Sequence, residues 1–330
     1  MLFKARQPIF QWSNLKKRGF HIDEFLYLYM LLHGFTRHEA TVQGVTLHWL
    51  QKVATNSPKK WVILVHGIAS TSSHWGRTAI DLVNRGYSVI ALDSPFHGRS
   101  EDPFDLDMKE RPRCTPEYFF SLFSEWMTKI APTITQGPYG LVGNSLGGGM
   151  CLRFAIEHPE LVKDLMLISP AGGFESRQQW EEFRKNLQFV EYTKQTPEAT
   201  SRAKDKHRAK NYIERIYHRP PVYTFAIAGP FMKAMSEGGL REMVALSDFE
   251  TAALFPEREK ITLAMPTLMI WGKSEKLFPR THLVNFKKRL ATKAPATIVY
   301  DEPEGVGHVP LLEQPKWLSE RLVRFMITRE

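Results

Sequence analysis

Gly143-Asn144-Ser145-Leu146-Gly147 lies between an apolar run at 139–142 and a stretch of helical character at 150–158. This order predicts a buried strand, a sharp turn and a helix. The small residues two positions before and two positions after Ser145 allow the strand and the helix to approach each other closely. We therefore expect a strained backbone at Ser145. Its hydroxyl should face solvent beside a helix N-terminus, which favours negative charge on a substrate oxygen.

The composition of the 330 residues is that of an ordinary globular protein, with 43% hydrophobic and 24% charged residues. This length favours one α/β core with an insertion. Two cysteines, Cys114 and Cys151, are too few for a disulfide framework and indicate a reducing compartment. The apolar segment 25–32 is shorter than the ~20 residues that cross a bilayer, and 1–20 lacks the pattern of a signal peptide. These features predict a cytoplasmic protein.

The net charge is +9, and part of the excess is clustered. Segment 202–219 holds seven Lys or Arg against two Asp or Glu, and Lys16-Lys17-Arg18 forms a second basic group. A solvated helix face is the favoured interpretation of such a run. The alternative is a weak contact with an anionic membrane surface. No nucleic-acid partner is expected, because no nucleic-acid-binding motif accompanies the charge.

Apolar runs and helical stretches alternate along most of the chain, which predicts βαβ crossovers and a mostly parallel sheet. A hairpin is expected at 39–43 and 45–53, around Gly44. The later predicted strands are 61–65, 87–93, 139–142, 161–168, 266–272 and 296–301, and the predicted helices are 23–32, 72–85, 116–130 and 150–158.

The apolar run 61–65, followed by His66-Gly67-Ile68 and far downstream by the Ser145 pentapeptide, resembles the α/β-hydrolase fold. The resemblance implies a doubly wound sheet of about eight mostly parallel strands, flanked by helices. It also implies that the backbone N–H groups of Ile68 and Leu146 form an oxyanion hole. We expect His66 to orient its own loop, because the resemblance assigns proton transfer to another histidine.

Two further stretches resemble the family's motifs for a catalytic triad. The run 307–315 is similar to G-H-x-P-x-x-E-x-P, which implies His308 as the catalytic histidine. After Trp271-Gly272, Glu275 occupies the place where the family usually has the aspartate of the triad. Glu275 is therefore the implied acid, with Asp301 as the alternative. Nucleophile, acid and histidine then follow in the order that this fold uses.

The run 93–100 resembles the family's D-x-x-G-x-G-x-S loop with one departure. Phe96 stands where glycine is usual. We expect the phenylalanine to alter a turn beside the site but to leave the catalytic chemistry unchanged.

The chain is expected to divide into three parts. Residues 1–36 form an N-terminal extension, and 37–173 together with 264–330 form the α/β core. The segment 174–263 interrupts the alternation of strands and helices, and it resembles the helical cap that many family members insert. Its apolar portion 225–232 either lines an acyl pocket or forms a buried packing helix.

The resemblance implies a serine hydrolase that cleaves carboxylic esters, esterase or lipase-like, through an acyl-enzyme on Ser145 without a metal or organic cofactor. One alternative is a carbon–carbon bond hydrolase of the meta-cleavage type. Those proteins commonly carry tryptophan directly after the histidine, where this chain has Val309. A second alternative is a non-catalytic ligand-binding module on the same fold. Epoxide hydrolases and haloalkane dehalogenases need an aspartate at position 145.

Overall fold

The computed structural model describes residues 22–56, 59–106, 112–186, 211, 213–221, 238–252, 254, 259–293 and 295–327. The strands are β1 (Thr36–Val42), β2 (Val45–Lys52), β3 (Trp61–Val65), β4 (Ser88–Leu92), β5 (Tyr139–Asn144), β6 (Val162–Ile168), β7 (Ile261–Leu263), β8 (Thr267–Ile270), β9 (Leu290–Thr292) and β10 (Ile298–Asp301). The helices are α1 (Ile22–Leu32), α2 (Gly76–Asn84), α3 (Pro116–Glu125), α4 (Ala131–Thr135), α5 (Leu146–Glu157), α6 (Arg177–Asn186), α7 (Gly238–Leu246), α8 (Phe249–Ala252), α9 (Arg280–Arg289), α10 (Pro310–Glu313) and α11 (Pro315–Ile327).

Eight of the strands form one sheet in the order β1-β2-β4-β3-β5-β6-β8-β10. The first two strands form an antiparallel hairpin whose turn residues, Gln43 and Gly44, have φ angles of 47° and 79°. β2 also pairs antiparallel with β4, and the remaining pairings in this sheet are parallel. The predicted hairpin and the predicted mostly parallel sheet are confirmed.

The sheet is buried on both faces, which explains the continuous apolar runs of its strands. In β3, Ile63 and Val65 belong to one hydrophobic cluster, whereas Val62 and Leu64 belong to the other. Helices α3 and α5 contribute apolar side chains to the first cluster, and α1, α2 and α11 contribute to the second. The fold is therefore the predicted doubly wound α/β sheet, and the carboxyl ends of its parallel strands meet at one edge.

Helix α5 begins at Leu146, four residues earlier than the sequence predicts. The run Gly147-Gly148-Gly149 indicates a turn, because glycine disfavours a helix interior. In the fold these glycines let the first turn of the helix pack closely on its neighbours. A Cβ on Gly148 would lie 2.9 Å from Pro170, and one on Gly149 would lie 2.9 Å from the carbonyl oxygen of Ala171. Tertiary packing therefore overrides the local preference.

Other boundaries differ in smaller ways. A 3₁₀ turn, Ser72–Trp75, precedes α2, so the helix predicted over 72–85 is two elements. A π-helical turn, Trp126–Ile130, joins α3 to α4 just before Pro132, which lacks the N–H needed to continue a regular ladder. Strand β7 lies at the end of the expected insertion and pairs in parallel with β9 in a separate small sheet.

The predicted helix over 23–32 corresponds to α1, which packs Met30 and Tyr27 into the second cluster. Within the described ranges, no helix combines the length and the apolar character needed to span a membrane. The basic group at 16–18, the apolar segment 225–232 and most of the basic run 202–219 lie outside the described residues.

Candidate active site

Ser145 occupies the sharp turn between β5 and α5. Its φ and ψ angles are 56° and −121°, a strained conformation for a residue other than glycine. Backbone hydrogen bonds hold the turn: Ser145 N–H donates to the carbonyl of Ile168 at 3.0 Å, and its own carbonyl accepts from Ala171 at 2.8 Å. The predicted strained backbone is present. However, Ser145 is buried and faces a cavity, where the sequence predicts a hydroxyl open to solvent.

Glycine is required on both sides of this turn. A Cβ on Gly143 would lie 2.4 Å from the carbonyl oxygen of Gly147. A Cβ on Gly147 would lie 2.4 Å from the carbonyl oxygen of His66 and 2.5 Å from that of Val65. The strand, the turn and the loop after β3 therefore approach each other more closely than any side chain permits.

The loop after β3 brings Ile68 close to Ser145. A Cβ on Gly67 would lie 3.0 Å from the Cβ of Ser145, and both Ile68 and Leu146 line the same cavity as Ser145. Leu146 is the first residue of α5, so its N–H has no intrahelical acceptor. The N–H of Ile68 donates no hydrogen bond within the described part of the chain. Two residues with backbone N–H groups that have no acceptor in the described part of the chain thus line the cavity together with Ser145.

His66 is held by its own loop. Its Nδ1–H donates to the carbonyl of Gly67 at 2.7 Å, and its Nε2 accepts from the backbone N–H of Ser94 at 3.0 Å. Burial lowers the pKa of His66 to about 4, so the ring is neutral at physiological pH. Both ring nitrogens are engaged with the backbone, which is the geometry of an orienting residue.

His308 and Glu275 form a buried pair. Nδ1 of His308 donates to Oε2 of Glu275 at 2.7 Å, and both side chains are 2% exposed. Oε1 of Glu275 accepts from the backbone N–H groups of Leu277 at 2.7 Å and Phe278 at 3.1 Å. Burial by itself would raise the pKa of Glu275, but the charge and hydrogen bond of His308 outweigh it and lower that pKa.

The other ring nitrogen of His308, Nε2, is buried and has no hydrogen-bond partner among the described residues. The backbone on each side of this ring is fixed: Asn144 Nδ2 donates to the His308 carbonyl at 2.9 Å, and His308 N–H donates to the carbonyl of Ile216 at 2.9 Å. Asn144 directly precedes Ser145, so the serine turn and the histidine loop are tied together.

Asp301, the alternative acid, has a different partner. It ends β10, and its Oδ2 accepts from Nε of Arg321. The structure therefore brings Glu275, and not Asp301, against His308.

The loop after β4 is organised by the buried carboxylate of Asp93. It accepts from His48 Nδ1 at 2.9 Å, Ser72 N–H at 2.6 Å and Arg99 N–H at 3.0 Å. Phe96, expected to alter this turn, has φ 62°, the left-handed conformation that glycine favours. Its ring packs against Phe119 at 5.5 Å. The phenylalanine thus adopts a strained glycine-like backbone, which its packing stabilises.

Helix α1 reaches the loop that carries Ile68. His74 Nε2 lies 2.7 Å from Oδ1 of Asp23 in α1, and His74 Nδ1 lies 2.6 Å from the hydroxyl of Ser70. Between Ile68 and Ser70, Ala69 has φ 51°, a strained value for alanine. The N-terminal helix therefore helps to fix a strained loop beside Ser145.

A cavity of about 170 Å³ lies over Ser145. The core contributes one wall, and the segment after β6 contributes the other. Apolar side chains from that segment, which the sequence analysis does not single out, are Phe174, Trp180, Phe183, Met243, Val244 and Leu254. They lie in no recognisable motif, and only their aromatic or aliphatic character signals a buried role. The segment 225–232, expected as a pocket wall or packing helix, stays untested.

Among the described residues, no three His, Cys, Asp or Glu side chains form a group that could hold a metal ion.

Comparison with known proteins supports this description of the fold. The family profile described as "alpha/beta hydrolase fold" matches residues 60–315. The uncharacterized hydrolase YugF of Bacillus subtilis (strain 168) is 25% identical over 289 residues, which span 87% of this chain and 96% of that protein. Lipase 1 of Psychrobacter immobilis is 24% identical over 255 residues, which span 76% of this chain and 72% of the lipase.

The solved structures include the 2-hydroxy-6-oxo-6-phenylhexa-2,4-dienoate hydrolase of Rhodococcus sp. strain RHA1. It superposes with a TM-score of 0.67 at 16% identity, over 88% of this chain and 98% of that one. Likeness at this level of identity shows the fold, and the substrate has to be argued from the site.

Proposed function

Since this chain belongs to the alpha/beta hydrolase fold family, we propose that it is a serine hydrolase that cleaves carboxylic esters, of the esterase or lipase type. The observation that carries this proposal is the buried pair of His308 and Glu275. In this pair, Nε2 of His308 has no hydrogen-bond partner among the described residues. The side chain of Asn144, directly before Ser145, donates to the His308 carbonyl and so connects the histidine loop to the serine turn.

In the proposed reaction, His308 Nε2 removes the proton of the Ser145 hydroxyl as its oxygen attacks the ester carbonyl. Glu275 holds the imidazole in the tautomer that protonates Nδ1 and stabilises the imidazolium that forms. The tetrahedral oxyanion is bound by the N–H groups of Ile68 and Leu146, each worth about 3 to 4 kcal/mol of transition-state stabilisation.

Collapse of the tetrahedral intermediate breaks the ester C–O bond, and His308 returns its proton to the departing alkoxide. The acyl group then remains on the oxygen of Ser145. A water molecule, deprotonated by the same histidine, attacks the acyl carbonyl, releases the carboxylic acid and restores the serine hydroxyl.

An ester with an apolar acyl chain suits the cavity. Its walls are aromatic and aliphatic, including Phe119, Met150 and Trp180, and such a surface binds methylene groups by removing them from water. The name of the Psychrobacter relative, a lipase, points the same way. Val309, in place of the tryptophan common in meta-cleavage hydrolases, favours ester over carbon–carbon bond cleavage.

The segment 174–263 acts in this proposal as a cap that governs access to Ser145. Helices α6, α7 and α8 belong to it, and residues from all three line the cavity. A second part of the segment contacts the histidine loop: Glu313 accepts from the backbone N–H of Arg219 and from that of Gly307. A cytoplasmic location, and a weak contact of 202–219 with anionic membranes, stay predictions.

A hydrolysis screen with 4-nitrophenyl esters of graded chain length, plus one meta-cleavage product, tests the proposal on wild type and on Ser145→Ala. We expect wild type to hydrolyse the esters and the variant to lose this activity. Cleavage of the meta-cleavage product alone would establish the carbon–carbon hydrolase alternative. A folded wild type inactive on every substrate would favour the non-catalytic binding module.

A further inference from the structure

Arg153 is the one charged side chain that lines the cavity in the part of the chain the structure describes. Otherwise the walls are almost entirely apolar. Apart from Ser145, the other side-chain hydroxyls that line it are already engaged in their own turn. Ser247 donates to the carbonyl of Val244 at 2.7 Å, and Thr251 donates to the carbonyl of Asp248 at 3.1 Å.

The cavity follows one face of helix α5. Leu146, Gly149, Met150 and Arg153 all line it, and their spacing of i, i+3, i+4 and i+7 places them in one row on the helix. Ser145 stands at the N-terminal end of this row and Arg153 at the other end. With a rise of 1.5 Å per residue, the eight residue steps from Ser145 to Arg153 span about 12 Å.

Two contacts hold the guanidinium of Arg153 in place, while its two terminal nitrogens can still donate hydrogen bonds. It stacks 3.9 Å from the ring centroid of Phe120, which also lines the cavity. Its Nε donates to Oε1 of Glu157 at 3.0 Å. The two terminal nitrogens have no acceptor among the described residues. Because the side chain is 31% exposed, the group remains hydrated and charged.

We propose that Arg153 selects ester substrates whose acyl chain ends in a carboxylate. This inference rests on the proposed ester hydrolysis and names its substrate class. The scissile carbonyl lies at Ser145, the methylene chain runs along α5 over Gly149 and Met150, and the terminal carboxylate accepts hydrogen bonds from the free nitrogens of Arg153. A planar guanidinium matches a carboxylate with two parallel hydrogen bonds.

Chain length decides whether the carboxylate reaches Arg153. A short diacid chain would leave its charge within the apolar part of the cavity, where the described lining residues offer no charged side chain to compensate the loss of water. A chain spanning about 12 Å places the charge at the guanidinium. Because the guanidinium is partly exposed and already paired with Glu157, we expect a preference of about tenfold, and not the larger effect of a fully buried pair.

The test compares two matched series of 4-nitrophenyl esters. One series consists of monoesters of dicarboxylic acids from succinic to sebacic acid, and the other consists of esters of the monocarboxylic acids with the same carbon numbers. For each chain length, kcat/KM of the dicarboxylic monoester is divided by kcat/KM of the matching monocarboxylic ester. We expect this ratio to be below one for the succinic monoester and to rise to about ten for the longest members. Added salt should lower that ratio.

Arg153→Met should reduce the ratio for the longest pair to one or below, whereas Glu157→Gln should raise it, because the competing carboxylate is removed. Arg85→Met is the matched control. Arg85 also pairs with a carboxylate one helical turn away, Asp81 at 3.2 Å, and it is 36% exposed. It does not line the cavity, so its loss should leave the ratio unchanged.

A wild-type ratio of one at every chain length, or an equal ratio in Arg153→Met, would overturn the role of Arg153. Either result leaves the proposed ester hydrolysis standing, because the monocarboxylic esters report it separately. Absence of hydrolysis in both series would overturn the proposed function itself, and the substrate class with it.

Discussion

Nδ1 of His308 lies 2.7 Å from Oε2 of Glu275, and both side chains are almost completely buried. Glu275→Gln should therefore lower kcat by about a thousandfold or more with little change in KM. The amide carries no charge, and it can stabilise the tautomer with the proton on the wrong nitrogen. Steady-state kinetics on a 4-nitrophenyl ester measure the effect.

Asp301→Asn is the control for this prediction. Asp301 pairs with Arg321, so its change should have a far smaller effect on kcat. A larger loss in Asp301→Asn than in Glu275→Gln would contradict the assignment of the acid.

The buried carboxylate of Asp93 should make the fold sensitive to acid below the ordinary pKa of an aspartate. Burial by itself would raise the pKa of Asp93, but its hydrogen bond to His48, its electrostatic interactions with the His48 and His66 rings and its hydrogen bond from Ser72 outweigh it and depress that pKa strongly. A depressed folded-state pKa gives stability that is complete above the unfolded value near 3.8 and is lost as the pH falls below it.

Asp93→Asn should consequently lower the free energy of unfolding by about 3 to 5 kcal/mol at neutral pH, because partners of the carboxylate are left unpaired in the core. Urea unfolding at a series of pH values gives the free energy of unfolding of wild type and variant. The difference between these two free energies should be constant near neutrality and should shrink in acid. A difference that does not change down to the acid limit would contradict this account.

Gly147→Ala tests the close approach around Ser145. A Cβ there would lie 2.4 Å and 2.5 Å from two backbone carbonyl oxygens, which cannot move aside as a side chain can. We expect a loss of stability of about 3 kcal/mol or more, measured by thermal unfolding. Gly137→Ala provides the control, because a Cβ on Gly137 meets no atom within 4 Å. Equal stability of the two variants would refute the packing argument.

His74→Ala tests the contact between α1 and the loop that carries Ile68. Removing the imidazole breaks the link from Asp23 to Ser70 and frees the strained backbone at Ala69. A small displacement of the Ile68 N–H should lower kcat by about tenfold to a hundredfold with little effect on KM. His33→Ala is the control, since His33 is exposed and its Nδ1 donates to the carbonyl of Tyr29 in the last turn of α1. A lower melting temperature with unchanged kcat would indicate a structural role alone.

The sequence predicts the sheet from local patterns, and its resemblance to the family's motifs implies the candidate site residues. The strand at 61–65 is apolar throughout because both faces are buried, and the glycines around Ser145 are needed for backbone contact. The resemblance of the stretch after Trp271-Gly272 to the family's motif implies Glu275 as the candidate acid. The choice between Glu275 and Asp301, however, requires the fold, because only the fold shows that the Asp301 carboxylate is paired with Arg321 in α11.

The cavity walls could not be predicted in the same way. Trp180 and Met243 reach the cavity from helices α6 and α7, whose positions depend on tertiary packing and follow no motif. From the sequence, Arg153 has no feature that separates it from other polar residues on a helix. Only the fold shows that its side chain lies on the face of α5 that lines the cavity.

Covalent labelling of Ser145 tests the central claim most directly. An organofluorophosphonate reacts with a serine only when a neighbouring base activates it, so the intact mass and the mapped peptide report the nucleophile without any choice of substrate. We predict one label per chain on the peptide that contains Ser145, loss of ester hydrolysis in step with labelling, and no label on Ser145→Ala. Labelling of a different serine, with hydrolysis retained in Ser145→Ala, would contradict the account.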